Sequence, residues 1–432
     1  KNQLMKFFLF ILIVCFGCLT AIGQRNCATN EYWQSQLNSD PALRLRYNQM
    51  ENAAKLRPSV SKKEQGAGVA EMPVIVIPVV IHILYNTPGQ NISDAQVQSQ
   101  LNILNKDFRK RNDDTARIPI AFASFATDCG IQFELAKTDP EGRATTGIVR
   151  KKTDRISWQQ DDKMKFSASG GNDAWNSRYY LNIWVCNLTK SLLGYATFPG
   201  ALPEKDGVVI RTDVFGISGS NNTAYNKGRT TTHEIGHWLN LKHLWGDTDC
   251  GDDGVDDTPP QKTYNSGCPS FPKITANSCN PLSSGDMFMN FMDFSDDACL
   301  HMFTPGQKQR IHDLFAVSAP RESMLRSAAL NKPWNTSTST ELQTDGSLHL
   351  SIFPNPASTF ITLQFNNEEQ AEPGTYRIYN ATGRLVAEGN NTRGRTVSIH
   401  TLPLTGQYVF WVGYLFSIYY ILPRQGLRRD RK

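Results

Sequence analysis

HEIGHWLNLKH, residues 233–243, carries three histidines and a glutamate within eleven residues. On a helix, His233 and His237 are four apart and project from one face onto a single point. Glu234 stands at the edge of that point. His243 lies six residues beyond His237, too far round to share the face of a straight helix. The spacing therefore predicts a sharp bend near Asn240. Asparagine is second only to glycine in tolerating the left-handed backbone such a bend needs.

Two imidazoles from one turn and a third returning from a bend give three nitrogen ligands, the usual number at a catalytic zinc that keeps a fourth position open. A carboxylate beside that position can take a proton from the zinc-bound water. Thus His233, His237 and His243 are the expected ligands and Glu234 the expected base. HExxH carries this logic alone. In the longer pattern HExxHxxGxxH, glycine makes the bend, and Asn240 stands in its place. An amphipathic helix with merely polar histidines would leave Glu234 and both spacings unexplained.

The surrounding chain fits an exported protein. At 432 residues it exceeds one usual core, so two or more units are expected. Its net charge of +5 supports neither nucleic-acid binding nor a polybasic membrane anchor. MKFFLFILIVCFGCLTAIGQ, starting at Met5, has a lysine, an apolar run and a small-residue exit, the shape of a secretory signal peptide over residues 1–23. The run is shorter than the ~20 residues a membrane span needs, so no stable span is expected. Seven cysteines remain after it: Cys27, Cys129, Cys186, Cys250, Cys268, Cys279 and Cys299. Outside the cytosol most should pair, and the odd count leaves one thiol over.

Polar, helix-prone residues 24–60 read as a propeptide that ends in a cleavable junction. VIVIPVVIHIL (74–84) is a buried central strand, and SDAQVQSQLNILNKDFRKRN a helix capped by Ser93. Strands follow at 129–136, 178–188 and 206–211. The expectation is an α/β (α+β) unit with a mixed sheet over residues 61–328. A Ser/Thr-rich linker (329–346) and a small all-β sandwich (347–432) complete the chain.

HEIGHWLNLKHLWGD, with MFMNFMDF at 287–294, resembles the pappalysin family of metzincin metallopeptidases, in its cytophagalysin and ulilysin-like branch. The resemblance runs from IPVVIHIL through LNKDFRKRN, GGNDAWN, YLNIWVCNL, GYATFPG and DGVVI to FTPGQKQRIHDL, about 260 residues. It implies a secreted zinc endopeptidase acting on proteins or peptides, with Met292 as the Met-turn methionine beneath the histidines. Many relatives carry tyrosine where Phe294 stands, and the missing hydroxyl removes a donor for the tetrahedral intermediate. Asp296 and Asp297 are candidates for the floor of the primed-side pocket, where an acid in relatives favours cleavage before arginine or lysine.

GDTDCGDDGVDDTPP (246–260) crowds hard oxygen ligands, and relatives bind calcium in this region, which makes Asp252, Asp253, Asp256 and Asp257 candidate Ca2+ ligands; a solvated acidic loop is the plain alternative. Cys129–Cys186 would join two expected strands. Cys250–Cys279 and Cys268–Cys299 would staple the irregular excursion before the Met-turn, a pairing chosen by the resemblance. Cys27 is left, and relatives use a propeptide cysteine in an arginine-cysteine context as a latency ligand to the zinc. Theirs is commonly followed by glycine; here Ala28 follows.

SIFPNPAS, YRIYNATGRLV and LPLTGQYVF resemble the C-terminal sorting domain of the type IX (Por) secretion system. That implies a secreted or cell-surface protein carried through the periplasm of a Gram-negative bacterium, with the secretion machinery as partner. WVGYLFSIYYILPRQGLRRDRK departs from the usual ending and puts export in question. A surface binding module on a vestigial peptidase fold is the competing reading, favoured only by Phe294 and this tail.

Overall fold

The apolar run at 74–84 forms β1 (Ile75–Tyr85), nine of whose eleven residues are buried. A strand enclosed on both faces reads as a continuous apolar run, as seen here. The computed structural model describes residues 27–55, 73–189, 192–217, 224–274, 279 and 284–331, then seven strands between residues 350 and 421. The expected signal peptide and the junction at 56–72 lie outside the described residues. The chain divides into two units, Lys1–Thr336 and Ser337–Lys432.

In the first unit, α1 (Thr29–Ser39) and α2 (Pro41–Lys55) precede β1. After β1 come α3 (Asp94–Asp107), the short α4 (Ile120–Ala123), β2 (Ile131–Leu135), β3 (Ile148–Lys152), β4 (Leu181–Cys186), β5 (Gly194–Ala196) and β6 (Val208–Arg211). Helices α5 (Arg229–Trp238) and α6 (Pro305–Asp313) complete it. The sheet order is β2-β1-β4-β6-β5, with β3 pairing the far half of β1. All pairings are parallel except β5 against β6, so the sheet is mixed, as expected, and its reversed strand is an edge.

Ser93 caps α3 as expected, its hydroxyl accepting from Gln96 N at 3.2 Å. Val97, Leu101 and Leu104 then face a core that also holds Ile235 and Trp238 of α5. Thr231 and Thr232 of α5 donate to Gln100 and Asp107 of α3, each at 2.8 Å. The histidine helix is thereby clamped between α3 and the sheet, and every residue in it is buried.

One disulfide expectation fails. Cys129 and Cys186 are both buried free thiols. Strand β1 lies between β2 and β4. The register puts Cys129 level with Pro73 and Cys186 level with Leu84. At about 3.3 Å per residue they stand roughly 35 Å apart along the sheet, against the ~7 Å a disulfide can bridge. Two cysteines on parallel strands were expected to meet, but they sit at opposite ends. The other two bridges, Cys250–Cys279 and Cys268–Cys299, are present.

The first unit also reaches past residue 328. Ala329 is buried, and its carbonyl accepts from Lys137 N and Thr138 N at 2.7 and 3.0 Å. The described strands of the second unit, β7 (Leu350–Phe353), β8 (Phe360–Phe365), β9 (Gly374–Asn380), β10 (Leu385–Asn391), β11 (Thr396–His400), β12 (Gly406–Val412) and β13 (Leu415–Ile421), form two antiparallel sheets, ordered β10-β9-β12-β13 and β11-β8-β7. The atypical tail supplies β13 (Leu415–Ile421), which pairs with β12 (Gly406–Val412) along its whole length.

Candidate active site

Helix α5 ends in the bend that the spacing demanded. Asn240 has φ 70°. Leu241 N donates back to Gly236 O at 2.9 Å and Asn240 N to His237 O at 2.8 Å. This is the paired closing pattern of a Schellman turn, with asparagine in the left-handed position usually held by glycine. The returning chain brings His243 Nε2 to 3.0 Å from His237 Nε2 and 3.3 Å from His233 Nε2, while the first two are 3.2 Å apart.

Each imidazole is oriented from behind. His233 Nδ1 donates to Phe291 O at 2.7 Å, and His237 Nδ1 to Leu241 O at 2.8 Å. His243 Nδ1 meets Asp247 Oδ1 at 2.5 Å. A carbonyl can only accept, so the first two rings carry their proton on Nδ1 and turn a lone pair inward at Nε2. Burial, reinforced by His243, holds His237 well below the ordinary histidine range, which favours the neutral ring a metal ligand needs.

The fourth group is Cys27, from the N-terminal segment. Its Sγ lies 3.4 Å from His237 Nε2 and 3.4 Å from Glu234 Oε2. The four donor atoms lie within 4.8 Å of one another, and all four residues are buried. A tetrahedral zinc with ~2.05 Å nitrogen bonds would need nitrogens about 3.3 Å apart. Burial, then the Glu234 charge, push the Cys27 thiol far up. A cation among these donors is what would hold that sulfur as thiolate. The donor set fits zinc.

Glu234 Oε2 accepts from Thr29 Oγ1 at 2.7 Å, and Ala196 N of the edge strand donates to the same hydroxyl at 2.9 Å. Cys27 bridges Gly194 in parallel, so residues 27–29 run along β5 over the reactive centre. A β-carbon on Gly194 would stand 2.9 Å from Val209 O and 3.1 Å from Glu234 Cγ, which leaves room there only for glycine. Helix α2 adds a second anchor. Glu51 pairs with Lys242 at 2.9 Å and with Arg310, and Asn240 Nδ2 donates to it at 3.2 Å.

Met292 is fully buried beneath the helix, against Gly236. Phe294 lies 4.9 Å from the His243 ring and 5.6 Å from the His233 ring, facing the centre with no hydroxyl.

These placements describe a three-histidine metal centre with a bend after its helix. A family profile described as pregnancy-associated plasma protein-A matches residues 166–316. The chain is 33% identical over 252 residues to an extracellular metalloprotease of Arthroderma benhamiae, covering 55% of this chain and 76% of that protein. The chain belongs to the pappalysin family of metallopeptidases. Among solved structures, it is similar to Tannerella forsythia mature mirolysin in complex with a cleaved peptide, with 48% identity, a TM-score of 0.58, and coverage of 61% of this chain and all of that one. It is also similar to a promirolysin mutant from the same organism, with 46% identity, a TM-score of 0.62, and coverage of 70% and 97%. Residues 351–412 match a secretion system C-terminal sorting domain. The pappalysin chain is a secreted or cell-surface zinc metalloendopeptidase, and among the described residues no helix is long and apolar enough to cross a membrane.

The acidic candidates fare differently. Asp297 is fully buried, and its Oδ2 accepts from Lys227 N at 2.9 Å and Arg229 N at 3.2 Å, at the start of α5. Asp296 is half-buried beside it. The four loop aspartates do not converge: among the described residues only the Cys27–histidine group gathers as a metal cluster. Asp253 accepts from Val255 N and Thr258 Oγ1, and Asp257 from Thr304 Oγ1 and Gly306 N at the start of α6. Asp252 accepts from Gly254 N. These bonds make Asp252, Asp253 and Asp257 braces of an irregular loop, while Asp256 is exposed. The sequence reading missed Asp247, Thr29 and Gly194, because their contacts come from folding and not from spacing.

Proposed function

We propose that the chain is made as a latent zymogen in which His233, His237 and His243 hold the zinc and Cys27 fills its fourth position. The convergence of four donors from two distant stretches of chain carries this reading. Zinc bound there supplies a Lewis acid that polarises the scissile carbonyl and acidifies water. Glu234 takes the proton of the attacking water and passes it to the departing amine. Strand β5 orders the peptide by backbone pairing, in the place that residues 27–29 now take. Removal of the N-terminal segment, by a cut within residues 56–72, clears the cleft. The larger share of this chain matched by the pro form of mirolysin than by the mature form supports that division.

A primed-side preference for arginine or lysine belongs to the same proposal, with the acids Asp296 and Asp297 near the Met-turn as its source. Asp296, the less buried of the two, is the better placed to meet a substrate cation. Calcium is no part of this proposal: among the described residues the four loop aspartates do not gather as a metal cluster, and Asp252, Asp253 and Asp257 accept from amides and hydroxyls of their own loop and of the start of α6.

Glu234→Ala tests the mechanism. The variant should bind zinc, remain full length, and show no band on a casein or gelatin gel after the N-terminal segment is cut by an added protease. Clearing comparable to wild type would remove Glu234 from the role of base.

A further inference from the structure

Tyr32, one turn into α1, fills a pocket built entirely from the body of the enzyme. Its hydroxyl donates to Asp162 Oδ2 at 2.8 Å. Its ring centre lies 4.9 Å from that of Tyr195, the middle residue of β5, and 5.3 Å from Lys165 Nζ. Lys165 is fully buried, 5.4 Å from the Trp184 ring as well, and its ammonium sits 3.0 Å from Asp162 Oδ1. Lys205 Nζ stands 3.3 Å from Asp162 Oδ2, and Tyr195 donates to Oδ1 at 3.2 Å. Burial and then the Asp162 charge push the Tyr32 hydroxyl far up, so it stays protonated and able to donate.

This pocket opens beside the strand that lines the cleft, three residues along the chain from the Thr29 that touches Glu234. When Tyr32 leaves with the prosegment, a buried acceptor loses its donor and an aromatic wall loses its partner. One carboxylate faces two ammonium groups, so the pocket has no need of a further cation. An aromatic ring bearing a neutral donor satisfies both its wall and its acceptor, and cation–π contact adds to the fit. A phenylalanine ring would leave Asp162 Oδ2 short of one bond.

We propose that in the mature enzyme this pocket is a substrate subsite selective for a tyrosine side chain, with Asp162 reading the hydroxyl and Tyr195 and Lys165 the ring. The inference rests on the latency reading above, in that the prosegment must leave before the subsite is free.

The test uses the matured wild-type enzyme and a set of peptides sharing one cleavable core, with tyrosine, phenylalanine or lysine walked through each position on both sides of the scissile bond. At one position kcat/KM for tyrosine should exceed that for phenylalanine by about ten-fold or more, with lysine no better than phenylalanine. Asp162→Asn should bring the ratio down to within about three-fold. Because Asp162 neutralises buried Lys165, the paired Asp162→Asn/Lys165→Met variant is made alongside and should behave likewise. A tyrosine-to-phenylalanine ratio near one at every position, in an enzyme that cleaves the peptides, overturns the subsite. So does a ratio that survives both variants. If the matured protein cleaves none of them, the peptidase reading fails, and binding decides the pocket: equal affinity for acetyl-tyrosine amide and acetyl-phenylalanine amide overturns it.

Discussion

The sulfur of Met292 stands 2.4 Å from the point that a β-carbon on Gly236 would occupy. The thioether thus packs directly on the helix backbone between His233 and His237, and the small residue inside HEIGH is what admits it. Gly236→Ala should cost roughly 1–3 kcal/mol by overpacking, despite alanine's better helix propensity. Differential scanning of the zymogen reads this as a lowered Tm. Adding Met292→Ala should recover part of the loss, and additive losses would show that the two side chains do not meet.

Asn240 sets the third histidine. Asn240→Gly should leave zinc content near wild type, since glycine adopts φ 70° freely. Asn240→Val places a β-branched residue in the left-handed region at a cost of about 1–2 kcal/mol or more, and should pull His243 out of the centre. Metal analysis after dialysis checks both. Full zinc in the valine variant would mean that the bend does not depend on this residue.

Cys27→Ala should give a zymogen that is active before cutting or matures faster, because the centre loses its thiol while Thr29 and Glu51 still dock the segment. Time courses of gel mobility and peptide hydrolysis follow this. Latency equal to wild type would place the block in the helices and not in the sulfur.

Phe294→Tyr puts a hydroxyl on the ring that faces His243. An added donor at such a position is worth up to ~10²-fold in kcat, and a gain of about ten-fold with little change in KM is expected. An unchanged or lowered kcat would show that another group already serves, or that Tyr264 and Trp245, packed on Phe294, leave no room for the hydroxyl.

His82 makes the first unit acid-sensitive. Burial pulls this histidine down to about 4, against the Asn182 hydrogen bond that opposes the shift. Asn172 donates to its Nδ1 at 2.7 Å and its Nε2 meets Asn182 Oδ1 at 3.0 Å, which fixes the neutral ring against Trp184. The unfolded chain takes up the proton first, near pH 6.5, so the contribution is complete above that value and is lost as pH falls toward 4. By pH 5 the loss is roughly 2 kcal/mol. Urea unfolding at pH 7.5 and 5.0 should show a smaller difference in His82→Phe than in wild type. An equal difference would assign the acid sensitivity elsewhere.

Much of the reactive centre was legible in eleven residues. A helix fixes the angle between side chains four apart, and a left-handed asparagine fixes where the next turn points, so local geometry alone brings His233, His237 and His243 together. The capped helix α3 and the buried strand β1 were legible for the same reason, since their patterns repeat with the period of the backbone. What the sequence could not determine depends on which distant strands become neighbours. Cys129 and Cys186 read as partners until the sheet order set β1 between their strands and the parallel register carried them to opposite ends. The loop aspartates read as cation ligands or as a solvated loop, and only folding gave Asp252, Asp253 and Asp257 their amide and hydroxyl partners. Nothing in the local pattern marked Tyr32, and only the fold delivered it to Asp162, 130 residues away. Spacing along the chain decides contacts within a turn of helix; contacts across the sheet are decided by the burial of its apolar faces, which no local pattern records.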